Sequence, residues 1–172
     1  MEYTKNKIPN DIQEFIDKFK HYIDTKIYYY GSVQRYDYFM GKSDIDFSVF
    51  TDNTETMIHK ISHYLHINKK KFHKIAWNYK SKFIEGYKVV YYNENPKCRL
   101  EITIYDEKYK EYVLADHIIP FDMPFYICFL LIFLKLLYYN LQMIPISFYT
   151  HYKKLIINTF KGINTHFTYI KK

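Results

Sequence analysis

Three carboxylates on two strand-like segments are the residues of this chain best suited to chemistry. Asp44 and Asp46 are separated by one apolar residue, and alternate residues of a β-strand share a face, so both carboxylates are predicted to point the same way. Glu101 lies on the polar side of a second alternating segment, residues 98–104. Carboxylates on one face repel each other unless a cation lies between them. The pattern therefore predicts a site for two Mg²⁺ or Mn²⁺ ions, suited to phosphoryl transfer.

A Gly-Ser pair upstream of these carboxylates predicts a phosphate-binding turn. Gly31 and Ser32 follow a strand-like aromatic run, 27–30; glycine lets the backbone approach a phosphate, and nearby amides and the serine hydroxyl can donate to it. The chain's only arginines, Arg35 and Arg99, lie beside the motif residues, and a guanidinium binds phosphate in a bidentate fork. The predicted nucleotide-binding residues are Gly31, Ser32, Arg35, Lys42 and Ser43.

Elements that position these residues follow from hydrophobic periodicity. We predict a helix over 11–25, strands over 26–30, 45–50 and 72–77, a helix over 54–65, a hairpin of 86–92 and 98–105 turned at 93–96, and three helices after 106, divided near 120–124 and at 145. This order predicts an α+β fold, in which a small mixed β-sheet is backed by helices. Residues 1–105 would form the core, and 106–172 a helical extension packed on it as one unit.

The motif resembles the nucleotidyltransferase superfamily named after DNA polymerase beta. That pattern is Gly-Ser, a gap of about ten residues, Asp-apolar-Asp and a later acid on a strand, and the resemblance covers roughly residues 25–105. The tetrapeptide Ser-Asp-Ile-Asp at 43–46 most resembles the sequences of the small stand-alone members, the minimal nucleotidyltransferases and their aminoglycoside-modifying relatives. The resemblance implies that the Gly-Ser turn binds the nucleotide's phosphates, that the paired aspartates hold both metal ions, and that Glu101 holds the catalytic ion.

One departure from the family pattern concerns the phosphate turn. Small members often carry Gly-Ser-x-Ala-Arg-Gly, whereas Gln34 and Tyr36 flank Arg35 in this chain. Tyr36 is in a position to crowd the turn and to lower or alter activity.

The predicted activity is transfer of a nucleoside monophosphate from a nucleoside triphosphate to an acceptor hydroxyl, with release of pyrophosphate. At 172 residues, the chain is short for a member that holds an RNA primer, which favours a protein or small-molecule acceptor. One alternative is nucleotide addition to an RNA 3′ end. Another is a catalytically silent module that binds a nucleotide or a partner, for example through the apolar segment 125–137.

The net charge of +7 supports the RNA alternative through a lysine-rich middle segment. Lysines interleaved with aromatic residues can hold a polyanion while the rings stack on bases; a solvated lysine face in a lysine-biased chain explains the same pattern. The predicted RNA-binding residues are Lys69, Lys70, Lys71, Lys74 and Trp77.

The cysteines, the histidines and the apolar run 123–134 predict no further metal site or membrane span. Two cysteines, Cys98 and Cys128, exclude a disulfide framework and favour a reducing, cytoplasmic setting. The trio His59, His63 and His66 is better explained as a polar helix face than as a zinc site. The apolar run 123–134 is short for a membrane span, so we predict a buried or interface helix, through which the chain could form a homo-oligomer.

Overall fold

The computed structural model describes residues 1–161 and 168–169, and this part of the chain contains five α-helices and six β-strands. The helices are α1 (Asn10–Ile23), α2 (Thr54–Tyr64), α3 (Lys110–Ile118), α4 (Phe125–Lys135) and α5 (Ile146–Lys161). The strands are β1 (Ile27–Tyr30), β2 (Ile45–Thr51), β3 (His73–Tyr79), β4 (Lys82–Glu94), β5 (Lys97–Asp106) and β6 (Thr168–Tyr169). The rest of the predicted extension, 162–167 and 170–172, lies outside the described residues.

All six strands form one mixed sheet in the order β1-β2-β5-β4-β3-β6. Strands β2 and β5 are parallel, and every other neighbouring pair in the sheet is antiparallel. The register of the parallel pair places Asp46 opposite Glu101, and β1 places Tyr30 opposite Asp46. The predicted α+β class, a mixed sheet with helices and a helical C-terminal part, is confirmed.

One face of the sheet carries the larger core. Ile12, Ile16 and Phe19 recur along one side of α1 and pack with Met57 and Ile61 of α2 in a single buried cluster. The odd-numbered apolar residues of β2 and the even-numbered apolar residues of β5 enter the same cluster, as the alternation predicts. The Asn53 side chain accepts a hydrogen bond from the Thr56 amide and caps α2.

The opposite face is polar at one end and apolar at the other. Phe50 and Tyr105 pack with Val113 of α3 in a second cluster. Between that cluster and the carboxylates, Ser48 and Thr103 are buried and their hydroxyls are 2.8 Å apart. The alternation places Ser48 and Thr103 on the same face as the carboxylates, and both can be buried there because hydroxyls that bond each other tolerate burial.

A tight turn between β3 and β4 escaped the sequence analysis. Lys80 and Ser81 have φ values of 45° and 64°, which suit a two-residue hairpin turn. Asn and Gly are the usual signals for such a turn, and neither is present. As a result, β4 begins at Lys82, four residues before the predicted start.

Helices α4 and α5 pack on each other through a third cluster that includes Cys128, Leu131 and Ile156. The other side of α4 is open, and Phe125 and Phe129 are 85% and 64% exposed. Self-association through this face stays a prediction. Among the described residues, no single helix has the length and apolar composition to cross a bilayer. The helical segments 107–122 and 125–140 satisfy these two criteria only when taken together, and the chain bends by 88° between them.

Candidate functional site

Asp46 and Gly31 lie against each other at the centre of the site. Gly31 opens a single 3₁₀ turn directly after β1 and has a φ of +71°, a conformation that favours glycine. A Cβ atom at this position would lie 1.9 Å from Asp46 Oδ2. The glycine is therefore required both by its backbone conformation and by the carboxylate beside it.

Burial and mutual repulsion shape the electrostatics of the three carboxylates. Burial, followed by the negative charges of Glu101 and Asp44, raises the pKa of Asp46 to about 7. Burial also raises the pKa of Asp44, although Arg99 opposes this effect. Tyr30 lies on the same face, and burial together with Glu101 and Asp46 raises its pKa well above the usual value. The sheet thus holds negative charges close together at a cost, as predicted from the alternation.

Cationic side chains engage two of the three carboxylates in this structure. Arg99 Nη1 lies 2.9 Å from Asp44 Oδ2, and Lys88 Nζ lies 2.6 Å from Glu101 Oε1. The Tyr30 hydroxyl also donates to Glu101 Oε1 at 3.3 Å. Within the described residues, no three acidic, histidine or cysteine side chains are arranged to hold a metal ion. Asp44 and Glu101 instead have lysine or arginine partners.

The chemistry of the donor set nevertheless fits a divalent cation. Asp46 has its pKa raised because Glu101 and Asp44 add to the cost of its burial, and a cation shared by the three groups would relieve that cost. Hard divalent ions prefer such oxygen ligands and are usually held by a few carboxylates together with substrate phosphates. The set is therefore suited to Mg²⁺ or Mn²⁺ bound together with a nucleotide.

A cleft of about 1090 Å³ is lined by Ser32, Asp44 and Glu101, whereas Gly31 and Asp46 are not among its lining residues. Its walls come from the 3₁₀ turn, the loop before β2, the tip of the β4–β5 hairpin, the end of α4 and one side of α5. Ligand pockets for small molecules span about 300–1,000 Å³, so this cleft lies at the upper end of that range. The charged residues that line it are Lys42, Asp44, Glu94, Lys97, Arg99, Glu101, Lys135, Lys153 and Lys154.

Of the predicted phosphate-binding residues, Ser32, Lys42 and Ser43 line the cleft. The Lys42 ammonium donates to the Asn140 side chain at 2.7 Å, in the turn that follows α4. The Tyr36 side chain is 86% exposed and is not among the residues that line the cleft.

The role predicted for Arg35 needs a correction. Its guanidinium is buried and forms two hydrogen bonds with the Asp37 carboxylate, at 2.7 and 3.0 Å. A bidentate fork already filled by a carboxylate two residues away does not face a nucleotide. Arg35 therefore has a structural partner, and the arginine that lines the cleft is Arg99.

The predicted RNA-binding surface also needs a correction. Trp77 is 2% exposed and packs in the second cluster, so its ring is not available to stack on a base. Lys69, Lys70 and Lys71 are exposed, and Lys74 pairs with Glu85 at 2.9 Å. None of these four lysines lines the cleft.

Lys153 and Lys88 are site residues that the sequence analysis missed. Lys153 of α5 lines the cleft and is half-buried, and its positive charge opposes the rise in the pKa of both Asp44 and Asp46. Lys88 of β4 pairs with Glu101. The lysine excess after residue 148 was the only sequence signal for Lys153, and in a lysine-rich chain it does not single out one residue.

The sequence model of the nucleotidyltransferase domain matches residues 12–114, more than half of the chain. The matched segment contains the Gly-Ser turn and all three carboxylates, and it ends within α3. No curated protein and no solved structure gives a significant match.

Proposed function

This chain belongs to the nucleotidyltransferase domain family, and from that premise we propose that it moves a nucleoside monophosphate from a nucleoside triphosphate to an acceptor hydroxyl. The acceptor oxygen forms a bond to the α-phosphorus while the bond from that phosphorus to the β-phosphate oxygen breaks. Pyrophosphate leaves, and the hydroxyl proton is released. No protein nucleophile takes part.

The observation that carries this proposal is the contact of Asp46 with Gly31, with Glu101 directly opposite Asp46 in the sheet. It joins a glycine turn suited to phosphates to a carboxylate cluster suited to cations, and Ser32 of that turn lines one cleft together with Asp44 and Glu101. Separately, each fragment is an ordinary turn or an ordinary strand. Together they bring the two charged parts of a nucleotide–metal complex to one place.

Asp44, Asp46 and Glu101 would hold the divalent ions, Mg²⁺ or Mn²⁺, with two ions as the proposed number. Bound there, the ions would supply charge neutralisation of the phosphates and activation of the acceptor hydroxyl. Ser32 and the amides of the 3₁₀ turn would orient the phosphates. Lys153 of α5 also lines the cleft, where its ammonium would attract the outer phosphates of the nucleotide.

We favour a protein or small-molecule acceptor. The cleft is large enough for a nucleotide and part of a second molecule. The lysines expected to guide RNA lie outside it, and Trp77 is buried. A single transfer to a hydroxyl that enters the cleft therefore requires fewer additional contacts than repeated extension of a nucleic acid.

The test is transfer from each of the four α-labelled ribonucleotides, with Mg²⁺ or Mn²⁺, to the protein itself, to short RNA and to fractions of a cell extract. We expect label on a protein or small-molecule fraction, and none with Asp46→Asn, because the substitution removes one of the central carboxylates. Asp52→Asn, at an exposed aspartate just after β2, is the matched control and should transfer at the wild-type rate.

Three outcomes would change the assignment. Full turnover by the Asp46→Asn protein would show that the chemistry occurs elsewhere. No label in any fraction, with nucleotide binding still measurable by calorimetry, would favour the silent binding module. Label on RNA alone would move the acceptor to a nucleic-acid 3′ end.

A further inference from the structure

We propose that Lys135 is a positioning residue for the transfer reaction. It holds the loop that contains Ser43 and thereby fixes the position of Asp44, although it lies outside the segment that matches the family. We call residues 35–44 the linking loop, because they join the 3₁₀ turn to β2. The inference rests on the proposed function. Lys135 lies at the last residue of α4, and the family match ends at residue 114.

Three contacts join Lys135 to the linking loop. Its ammonium lies 3.0 Å from Asp37 Oδ2 and donates to Ser43 Oγ at 3.2 Å. It also donates to the Asp37 backbone carbonyl. Ser43 Oγ in turn accepts from the Phe39 amide at 3.1 Å, so one ammonium holds both ends of a short loop segment.

Stability does not explain a lysine at this position. Lys135 is 1% exposed and is the only charged residue of α4, whose sequence is otherwise apolar apart from its tyrosine and cysteine. Burying an ammonium is costly, and a well-packed apolar side chain usually does as well or better. Burial lowers the pKa of Lys135 to about 8, which reflects that cost. A charged group kept in such a place indicates a geometric role.

The charges around Lys135 support that role. Arg35 already pairs with Asp37 through two hydrogen bonds, so the carboxylate has a cation without Lys135. The lysine therefore adds a second positive charge to a pair that is balanced without it. What it gains in addition is the contact to Ser43, the residue immediately before Asp44.

Further contacts tie the same loop to the end of α4. Lys42 donates to Asn140, 98 residues away in the chain. The Phe39 ring lies 6.2 Å from the Tyr139 ring, and the Lys135 ammonium lies 5.9 Å from the Phe39 centroid. The helical extension therefore holds the linking loop at several points, and Lys135 is the buried one among these.

The first test measures loop order without any substrate. Hydrogen exchange of the Phe39, Lys42 and Ser43 amides reports the loop, since these amides bond to Ser43 Oγ or to the Phe39 carbonyl. In Lys135→Met we expect at least tenfold faster exchange at these amides. Arg35 still pairs with Asp37 in this variant, so no unpaired charge is left to prevent folding; Lys135→Gln serves as a second, polar variant.

Leu131→Ala is the matched control, because Leu131 is also 1% exposed and lies one turn earlier in the same helix. It weakens α4 without touching the linking loop, and we expect the three loop amides to exchange as in the wild type. Wild-type exchange in both Lys135 variants would overturn the proposal. Equal acceleration in Leu131→Ala would also overturn it, since the effect would then belong to helix stability.

The second test is a double-mutant cycle between Lys135→Met and Ser43→Ala, with kcat and KM measured for the nucleotide. If Lys135 acts through Ser43, the double variant should lose little more activity than the more affected single variant, and the loss should be in kcat. Additive losses, or a loss confined to KM, would count against positioning.

The two tests separate this inference from the proposed function. If the wild type transfers no nucleotide but Lys135→Met still frees the loop, the proposed function fails while the structural link stands. If transfer is observed and neither loop exchange nor kcat responds to Lys135→Met, the positioning role is wrong and the proposed function is kept.

Discussion

At the scale of single residues, the site is determined by one glycine and one carboxylate. Gly31 has no side chain where Asp46 Oδ2 lies, and the loss of solvent around the half-buried Asp46 carboxylate, followed by the negative charges of Glu101 and Asp44, raises its pKa to about 7. Both features lower the free energy of unfolding, because a glycine loses much backbone freedom on folding and an ionised carboxylate is unfavourable beside acidic neighbours. Two predictions follow from these costs.

Gly31→Ala should lower transfer by about 100-fold, because displacing a reacting group by an ångström costs about that much. The added Cβ would lie 1.9 Å from Asp46 Oδ2. Gly41→Ala is the control, since Gly41 has a similar φ of +74° and nothing within 4 Å of its added Cβ. It should cost about 1 kcal/mol of stability through backbone strain and keep most activity. Similar activity losses in both variants, measured as kcat/KM, would disprove the role of the contact.

Asp46→Asn should stabilise the metal-free protein above pH 7. Because the folded-state pKa of Asp46 is raised from 3.8 to about 7, its ionisation costs stability, fully above the folded pKa and not at all below the unfolded one. A shift of about three pKa units corresponds to at most about 4 kcal/mol. Because the half-buried carboxylate is partly screened by solvent, we expect a gain on the order of 2 kcal/mol at pH 8, or about 5 °C in Tm. Thermal unfolding at pH 8 and pH 5 without divalent ions checks this, and an equal gain at both would contradict it.

At the scale of elements, two pairings decide the site. The parallel register of β2 and β5 brings Asp46 opposite Glu101, and α5 contributes Lys153 to the lining of the cleft. The carboxylates and the lysine proposed to attract the phosphates thus come from separate elements. Loss of Lys153 should therefore affect nucleotide affinity more than the chemical step.

Lys153→Met should raise the KM for the nucleotide roughly tenfold, the usual cost of one lost contact to a charged group, with a smaller change in kcat. Its neighbour Lys154 also lines the cleft but is exposed to solvent, so Lys154→Met should have a smaller effect. Steady-state kinetics on both variants distinguish them. A change confined to kcat in Lys153→Met would place this lysine at the reacting atoms instead.

At the scale of the whole molecule, the charge of +7 is divided between the cleft and surfaces remote from it. Lys69, Lys70 and Lys71 are exposed beside β3, and none of them lines the cleft. A surface of this kind attracts polyanions in general, whatever the acceptor of the reaction. The RNA alternative predicts that these lysines bind the acceptor.

Changing Lys69, Lys70 and Lys71 together to glutamine should leave transfer to a protein or small-molecule acceptor at the wild-type rate. If RNA is the acceptor, the same variant should bind it more weakly, and the slope of log affinity against log salt should fall by about 2, for three phosphate contacts on a single strand. Filter binding at several salt concentrations, beside the transfer assay, measures both. An unchanged salt slope would leave these lysines as a solvated face.

The sequence by itself determined the parts that depend on near neighbours in the chain. Strict alternation around Asp44–Asp46 and around Glu101 predicted both strands and the common face of the acids, and helical spacing predicted the buried side of α1. These patterns are local because a strand or a helix repeats every few residues. Together with the Gly-Ser pair, they were sufficient to predict the family and to place Asp46 and Glu101 on one face of the sheet.

Only the tertiary structure decided which charges meet. Arg35 pairs with Asp37 and so leaves the nucleotide site, Lys88 pairs with Glu101, and Lys135 reaches a loop 98 residues earlier in the chain. Which cation a carboxylate receives depends on distances that long-range packing sets, and 23 chemically equivalent lysines carry no sequence signal to distinguish them. Periodicity therefore predicts the face on which a charged residue lies, whereas the tertiary structure determines which opposite charge it pairs with.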